Sequence, residues 1–448
     1  MNPNIFREYD LRGLVNDDLT DDVVLNIGKG YGTLIRTKGG KKVSIGRDVR
    51  PSSKHFRDII IDGILSTGTD VIDLGEVPTP LGYFSIFHLN LDGCLVITAS
   101  HNPPEYNGFK VNVGKMSIYG KEIQEFRKLI EKGKFESGRG SYNEVDVISP
   151  YIDTLKTKFQ FKKKLNIAID AGNGMGGIIA PNLLRELGCN ITELYCEPDG
   201  RFPNHHPDPG VDKNLVDLIK TVKEKSLDLG IAFDGDADRI GTIDELGRIV
   251  RGDQLVAIYA RDVLKKLGKQ KIIFDVKCSL GLIEDIEKHN GIPFMWKTGH
   301  SLLKSKMKEE NAPFAGEMSG HMFFADNYFG YDDAIYAACR LIQILSESDI
   351  PFSQIVDSIP HYYSTPEMRL ETKEEIKFTI VEKLKDYFKK EYKTIDIDGV
   401  RIVFPDGWGL VRASNTQPAL VLRFEAKSQK RLDEIKNMVM GKINSFLQ

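Results

Sequence analysis

Three times along this chain a short apolar run, patterned as a buried strand, breaks off into a loop of polar and charged residues. Cys94-Leu95-Val96-Ile97 runs into Thr98-Ala99-Ser100-His101-Asn102-Pro103-Pro104, Leu229-Gly230-Ile231-Ala232-Phe233 into Asp234-Gly235-Asp236-Ala237-Asp238-Arg239, and Phe314-Ala315-Gly316 into Glu317. Other strand-like runs (42–46, 70–74, 166–170, 190–195, 272–275 and 294–296) alternate with helical stretches. Among these are one capped by Thr20 that runs to about Leu34, one over 53–66, one ending near Leu187 and one over 282–288. Such alternation predicts parallel sheets. Three related α/β units are the economical reading, and ligands of open α/β sheets bind outside the carboxyl ends of the strands. The loops at Ser100, Asp234 and Glu317 therefore occupy equivalent strand-end positions in successive units.

From about His361 the pattern changes. A strand-like stretch over 365–371, a helix to about Lys390, strand-like runs over 399–403 and 420–424 and a terminal helix from Lys430 describe an α+β unit with antiparallel pairing. The expected fold class is thus α/β: three topologically similar α/β domains with mixed, largely parallel sheets, over 1–146, 147–248 and 249–361, and a C-terminal α+β domain over 362–448. A chain of 448 residues is too long for one compact core, which agrees with several domains.

Composition narrows the function by exclusion. Charged residues make up 28% and the formal net charge is −3, which argues against a nucleic-acid-binding surface as the main feature. No apolar stretch reaches about 18 residues, so no membrane span is expected. The N-terminus lacks a basic-then-apolar signal pattern. The five cysteines are scattered and never form a CxxC pair, as expected of reduced thiols in a cytoplasmic protein.

Asp234, Asp236 and Asp238 repel one another, so a divalent cation is the natural way to keep all three ionised, with Mg²⁺ the best candidate. Glu245 falls at position twelve of an apparent EF-hand, but Arg239 stands where that loop needs glycine and a strand precedes it. Gly172-Asn173-Gly174-Met175-Gly176-Gly177 satisfies GxGxxG between a strand and a helix, with Glu193 placed as a ribose-binding acid, so a nicotinamide-dependent oxidoreductase is a rival reading. Gly316-Glu317-Met318-Ser319-Gly320-His321 suits hydrogen bonding to a polyhydroxylated ligand. Arg412-Ala413-Ser414-Asn415-Thr416-Gln417-Pro418 suits a phosphate. Around Ser100 there is no G-x-S-x-G elbow, and the adjacent His101 is poorly placed as its base. A serine beside a metal and several cations can instead carry a phosphoryl group, whose roughly −1.5 to −2 charges Mg²⁺, Lys110, Arg239 and His101 would offset.

Taken together and in order, the loops at Thr98, Asp234, Gly316 and Arg412 resemble those of the α-D-phosphohexomutase superfamily, and within it the bacterial phosphomannomutase/phosphoglucomutase group, over essentially the whole chain. The resemblance implies four domains around a central cleft. It implies that Ser100 carries the phosphate and, with Asp234, Asp236 and Asp238, holds one Mg²⁺ per chain. Glu317 and Ser319 would hold sugar hydroxyls. Arg412, Ser414, Asn415 and Thr416 would hold the phosphate not being transferred. Matching positions give Tyr9, Arg12, Lys110, Arg239, Lys277, His300 and His321 substrate or catalytic roles. The expected activity is interconversion of hexose 1-phosphate and hexose 6-phosphate through a phosphoserine and a hexose 1,6-bisphosphate, which also serves as activator. Arg12, Lys110 and His321 are unranked candidates for acid and base. Ala99 and Ala237 replace glycines of some relatives without removing a ligand. Met318 favours mannose and glucose phosphates over the glucosamine phosphate of the alternative, phosphoglucosamine mutase. The expected partners are small-molecule sugar phosphates, with no nucleic acid and no membrane, and the chain is expected to act as a monomer.

Overall fold

The computed structural model describes residues 1–373, 375–414 and 419–447. The chain forms two compact units, Met1–Arg251 with Ser319–Ile355 and Gly252–Met318 with Val356–Gln448. Among the described residues no helix is long and apolar enough to cross a membrane.

A single strand order recurs three times. Lys42–Arg47 lies between Asp70–Glu76 and Gly93–Ile97, parallel to both. Asn166–Asp170 lies in the same way between Asn190–Leu194 and Leu229–Phe233, and Lys271–Asp275 between Ile292–Trp296 and Phe314–Gly316. In each set the third strand is the one that ends in a polar loop. Its residues are buried throughout, as a strand covered on both faces requires.

In the first unit the third strand is followed by an antiparallel neighbour. Tyr106–Val113 pairs with Gly93–Ile97, and Ile240–Asp244 pairs with Leu229–Phe233. The loop holding Ser100 is thus the turnaround between two antiparallel strands. Tyr106–Val113 escapes a pattern reading because Asn107, Gly108 and Asn112 are poor strand formers. All three are nonetheless buried, as pairing on both sides demands.

Helices close the faces of the first sheet. Leu95, Ile97, Ile45 and Phe109 point to a core shared with Ile27, Tyr31, Ile60 and Ile64 of helices Asp21–Thr37 and Ser53–Leu65. By the two-residue period of a strand, Cys94 and Val96 face the other way. Helix Thr79–His88 packs there: a Cβ on its Gly82 would meet the Val96 side chain, with Cys94 Sγ 3.6 Å away. Thr20 caps Asp21–Thr37 in extended conformation but without a side-chain hydrogen bond.

The last sheet is antiparallel, in the order Tyr363–Ser364, Ala419–Ala426, Gly407–Ala413, Val400–Phe404, Lys393–Ile395. Met368–Glu371 also pairs with Ala419–Ala426. Of the stretch expected as a strand over 365–371 only Met368–Glu371 is one; Tyr363–Ser364 is a separate short strand before it, and Pro366, which cannot donate to a ladder, lies between them. Helices Lys377–Phe388 and Gln429–Leu447 cover one face through Ile380, Leu384, Ile435 and Val439. From the other face Trp408 and Leu410 pack on Val276. Arg401, lying 3.8 Å over the Trp408 ring, donates to the carbonyl oxygens of Val276 at 2.6 Å and Cys278 at 2.8 Å. Arg423 donates to that of Lys277 at 2.7 Å.

The two helices behind the first sheet touch backbone to backbone. A Cβ on Gly28 would lie 2.6 Å from the Ile60 carbonyl oxygen, and one on Gly63 2.7 Å from that of Leu25. Gly28→Ala is expected to destabilise the protein by about 1–3 kcal/mol through overpacking, read as a lower midpoint of thermal unfolding. An unchanged midpoint would mean that the helices separate at no cost.

Candidate active site

Ser100 is 1% exposed and has φ of 51°, a left-handed conformation that costs a non-glycine residue energy and survives only where its surroundings impose it. Its amide donates to Thr98 Oγ1 at 2.9 Å, and its hydroxyl donates to Asp234 Oδ2 at 2.7 Å. His101 Nδ1 lies 3.0 Å from the same hydroxyl oxygen. With the one hydroxyl hydrogen given to Asp234, His101 Nδ1 must carry a proton and donate. Burial, with the charges of Arg239 and Arg12, holds the His101 ring well below its usual pKa and so neutral.

The residue that imposes this backbone carries no motif signature. Arg50, 1% exposed, donates to the carbonyl oxygens of Ser100 at 2.9 Å, Asn102 at 2.6 Å, Pro103 at 2.6 Å and Tyr106 at 3.0 Å. Asp48 balances its charge at 3.1 Å, and the guanidinium sits 5.2 Å over the Phe202 ring. One buried cation thereby satisfies four loop carbonyls that would otherwise be orphaned. The available signal was an Asp-x-Arg sequence just beyond the strand over 42–46.

Asp234, Asp236 and Asp238 are fully buried, with carboxylate oxygens within 4.8 Å of one another. Asp234 Oδ1 accepts the amides of Asp238 and Arg239, both at 3.1 Å. Asp236 Oδ2 accepts the Thr79 hydroxyl at 2.6 Å, and Lys110 Nζ pairs with Asp236 at 3.2 Å and with Asp238. Asp236 Oδ1 and Asp238 Oδ1 are buried with no hydrogen-bond partner among the described residues. Burial and the charges of Asp238 and Asp236 push Asp234 well above the ordinary carboxylate range. Three buried hard oxygen donors with two atoms unsatisfied fit a divalent cation.

The GxGxxG segment supports this loop from behind. A Cβ on Gly174 would lie 2.7 Å from the Gly235 carbonyl oxygen, to which the Met175 amide donates at 2.9 Å. A Cβ on Gly235 would in turn strike the Ser100 carbonyl oxygen. These glycines permit close approach of backbone to backbone, and Glu193 is engaged with Arg185 on the surface.

Cationic and titratable groups complete the cluster in the first unit. Lys110 stays charged because Asp236 and Asp238 outweigh its burial. Arg239 Nε donates to His321 Nε2 at 2.9 Å, while His321 Nδ1 lies 3.0 Å from Asp332 and 3.5 Å from Asp238. Arg12, on strand Leu11–Leu14, donates to Asp10 at 2.9 Å and to Asn102 at 2.8 Å. Tyr9 is half-buried in the bend before that strand, and Ser319 is also half-buried in this unit. Thr79 and Asp332 join Arg50 as contributors the motifs did not reveal.

The second unit gathers Lys277, His300, Glu317 and Arg412, each less than one-tenth exposed. Glu317 Oε1 accepts the Gly299 amide at 2.6 Å, at the start of helix His300–Glu309. Lys277 Nζ lies 3.3 Å from Glu367 and 3.9 Å from Asp275. Arg412 pairs with Asp398 at 3.0 Å, and the Ser414 carbonyl accepts from Lys377 at 2.6 Å. Asn415 and Thr416 lie outside the described residues.

Comparison with known proteins agrees along the entire chain. Four phosphoglucomutase/phosphomannomutase domain families match in succession: alpha/beta/alpha domain I over 3–137, domain II over 149–247, domain III over 251–363 and the C-terminal domain over 367–442. The chain is 44% identical over 443 residues to the phosphomannomutase/phosphoglucomutase of Pseudomonas aeruginosa, covering 99% of this chain and 96% of that one. It is 44% identical over 447 residues to a phosphoglucomutase of Neisseria gonorrhoeae, covering 99% and 97%. A solved structure of a phosphoglucomutase/phosphomannomutase family protein from Burkholderia thailandensis superposes with a TM-score of 0.94 at 40% identity, covering 99% of this chain and 98% of that one. With the recurring strand order, the buried serine and the aspartate cluster already in hand, this full-length agreement establishes that the chain belongs to the phosphoglucomutase/phosphomannomutase family.

Proposed function

We propose that this protein is a phosphohexomutase that interconverts the 1- and 6-phosphates of mannose and/or glucose, using Ser100 as the phosphate carrier and a hexose 1,6-bisphosphate as intermediate. The observation that carries this reading is the Ser100 hydroxyl, presented on left-handed backbone and held 2.7 Å from Asp234, one of three clustered buried carboxylates of which the other two, Asp236 and Asp238, each keep an unsatisfied oxygen. Asp234, Asp236 and Asp238, with Ser100, would hold one Mg²⁺, which when bound supplies positive charge for the phosphoryl group.

The chain's own residues then divide the work. In the first transfer the bond between phosphorus and Ser100 Oγ breaks, a bond to the free sugar hydroxyl oxygen forms, and that hydroxyl gives up its proton; in the second the other sugar oxygen–phosphorus bond breaks, the bond to Ser100 Oγ forms again, and the freed sugar oxygen takes a proton back. Lys110 and Arg239 are cations for the migrating charge. Of Arg12, Lys110 and His321, the imidazole of His321 is the candidate proton carrier: its Nδ1 lies 3.0 Å from Asp332 and 3.5 Å from Asp238, while its Nε2 accepts from Arg239 and would take a proton only once Arg239 turns away. Lys110 is bound into its ion pairs with Asp236 and Asp238 and suits charge stabilisation instead. Glu317 and Ser319 hold sugar hydroxyls. Arg412 and Ser414, with Asn415 and Thr416, grip the phosphate that stays. The reverse transfer, after the bisphosphate turns around, restores phospho-Ser100.

Intact-mass spectrometry of the purified protein is expected to find one phosphoryl increment that maps to Ser100. In Ser100→Ala both the increment and mutase activity disappear, the latter falling on the order of 10³-fold or more, and full activity in that variant would defeat the reading. Chelation with EDTA is expected to abolish turnover of mannose 1-phosphate and glucose 1-phosphate without changing the far-ultraviolet circular dichroism. Added Mg²⁺ restores the native protein but not Asp238→Asn, and a chelated enzyme that stays fully active would remove the metal from the proposal.

A further inference from the structure

We propose that Glu367 is a displaceable internal carboxylate, which occupies the Lys277 ammonium in the free protein and gives way to the phosphate of an arriving hexose phosphate. The inference rests on the reading of Lys277 as a substrate residue.

Lys277 follows strand Lys271–Asp275 at its carboxyl end, where α/β sheets hold ligands, and its side chain is 10% exposed. A cation so far withdrawn from water needs an opposite charge. Asp275 is 3.9 Å away, too far for a hydrogen bond, and is already committed to the Cys278 thiol at 3.0 Å, the Thr298 hydroxyl at 3.1 Å and the Met318 amide at 3.0 Å. Among the described residues Glu367, at 3.3 Å, is therefore the carboxylate within hydrogen-bonding reach of the ammonium.

Glu367 differs from the other acids of this cluster in what it loses by leaving. Asp275 is fully buried, Glu317 is 2% exposed and bound to the Gly299 amide, and Asp398, partner of Arg412, also accepts the Thr298 amide at 3.1 Å. The Glu367 side chain is 35% exposed, and Arg369, two residues on and 59% exposed, stands 3.5 Å away as an alternative partner. A carboxylate with one foot in water and a second cation at hand can let go of Lys277 without being stranded. A phosphate, with more charge and more acceptor oxygens than a carboxylate, is the kind of ligand able to replace it. Glu367 thus weakens the site for phosphates in general, since any phosphate must first displace it.

Glu367→Gln keeps the shape and an acceptor oxygen but removes the charge. Steady-state kinetics with glucose 1-phosphate, and competition by inorganic phosphate, are expected to show KM and the inhibition constant both falling by about three- to tenfold, with kcat changed much less. Glu367→Asp, which retains the charge, should stay near the native values. In a Lys277→Met background the difference between Glu and Gln at 367 should vanish. An unchanged or higher KM in Glu367→Gln, or a difference that persists without Lys277, overturns the proposal. These outcomes are distinct from failure of the functional reading itself, which would appear as a native protein without mutase turnover.

Discussion

Burying Asp234, Asp236 and Asp238 together is costly, and the surrounding residues of the first unit are arranged to offset it. Like charges this close cannot all stay ionised in a low-dielectric site unless something opposes them. Lys110 meets two of the three, Thr79 donates to one, and two backbone amides stabilise Asp234. The remainder of the imbalance is left open, as two orphaned oxygens record. A purely structural cluster would evolve toward full satisfaction, because each unmet buried acceptor lowers stability by roughly 1–3 kcal/mol.

Strained backbone lies beside that imbalance. Ala237, within the acidic loop, shares the left-handed conformation of Ser100, with φ of 59°. The two loops meet through glycine: the absence of a Cβ at Gly235 lets the acidic loop rest on the Ser100 carbonyl, and the absence of one at Gly174 lets a further turn brace it from behind. Hydrogen bonds to backbone keep the strain in place. Arg50 holds the carbonyls of the serine loop, and Asp234 holds the amides of its own. The Ser100 hydroxyl is therefore fixed by the protein's own contacts.

What could be read in the residues and what could not follows from where each signal resides. The polar loops at Ser100 and Asp234 were legible because they interrupt apolar strands, and the recurring order of strands was legible because burial on two faces leaves continuous apolar runs. Arg50 was not legible, since it works on backbone carbonyls, which every residue has. Strand Gly407–Ala413 was hidden by its two glycines, and Tyr106–Val113 by its asparagines. The GxGxxG segment is ambiguous for a related reason: its glycines admit a close neighbour, which at Gly174 is the backbone of Gly235 in the acidic loop, and the pattern alone does not say what that neighbour is. Ionic partners such as Glu367 to Lys277 lie 90 residues apart, a pairing no local pattern contains.

The charge states of the two units are opposite in sense. In the first, acids outnumber the cations that reach them, so the cluster is completed by adding positive charge. In the second, Lys277 and Arg412 are each already met by a carboxylate, Glu367 and Asp398, so an anion arriving at Lys277 would be accommodated by exchange with Glu367, while Asp398 stays held by the Thr298 amide. A site completed by addition binds strongly and keeps its ligand, which suits a resident ion. A site occupied by exchange binds only by the difference between two anions, so its affinity stays moderate however many cations line it. For the carrier role proposed for Ser100, in which the sugar would be met twice with its phosphates interchanged, moderate grip is the more useful property, because an intermediate held too firmly could not turn around.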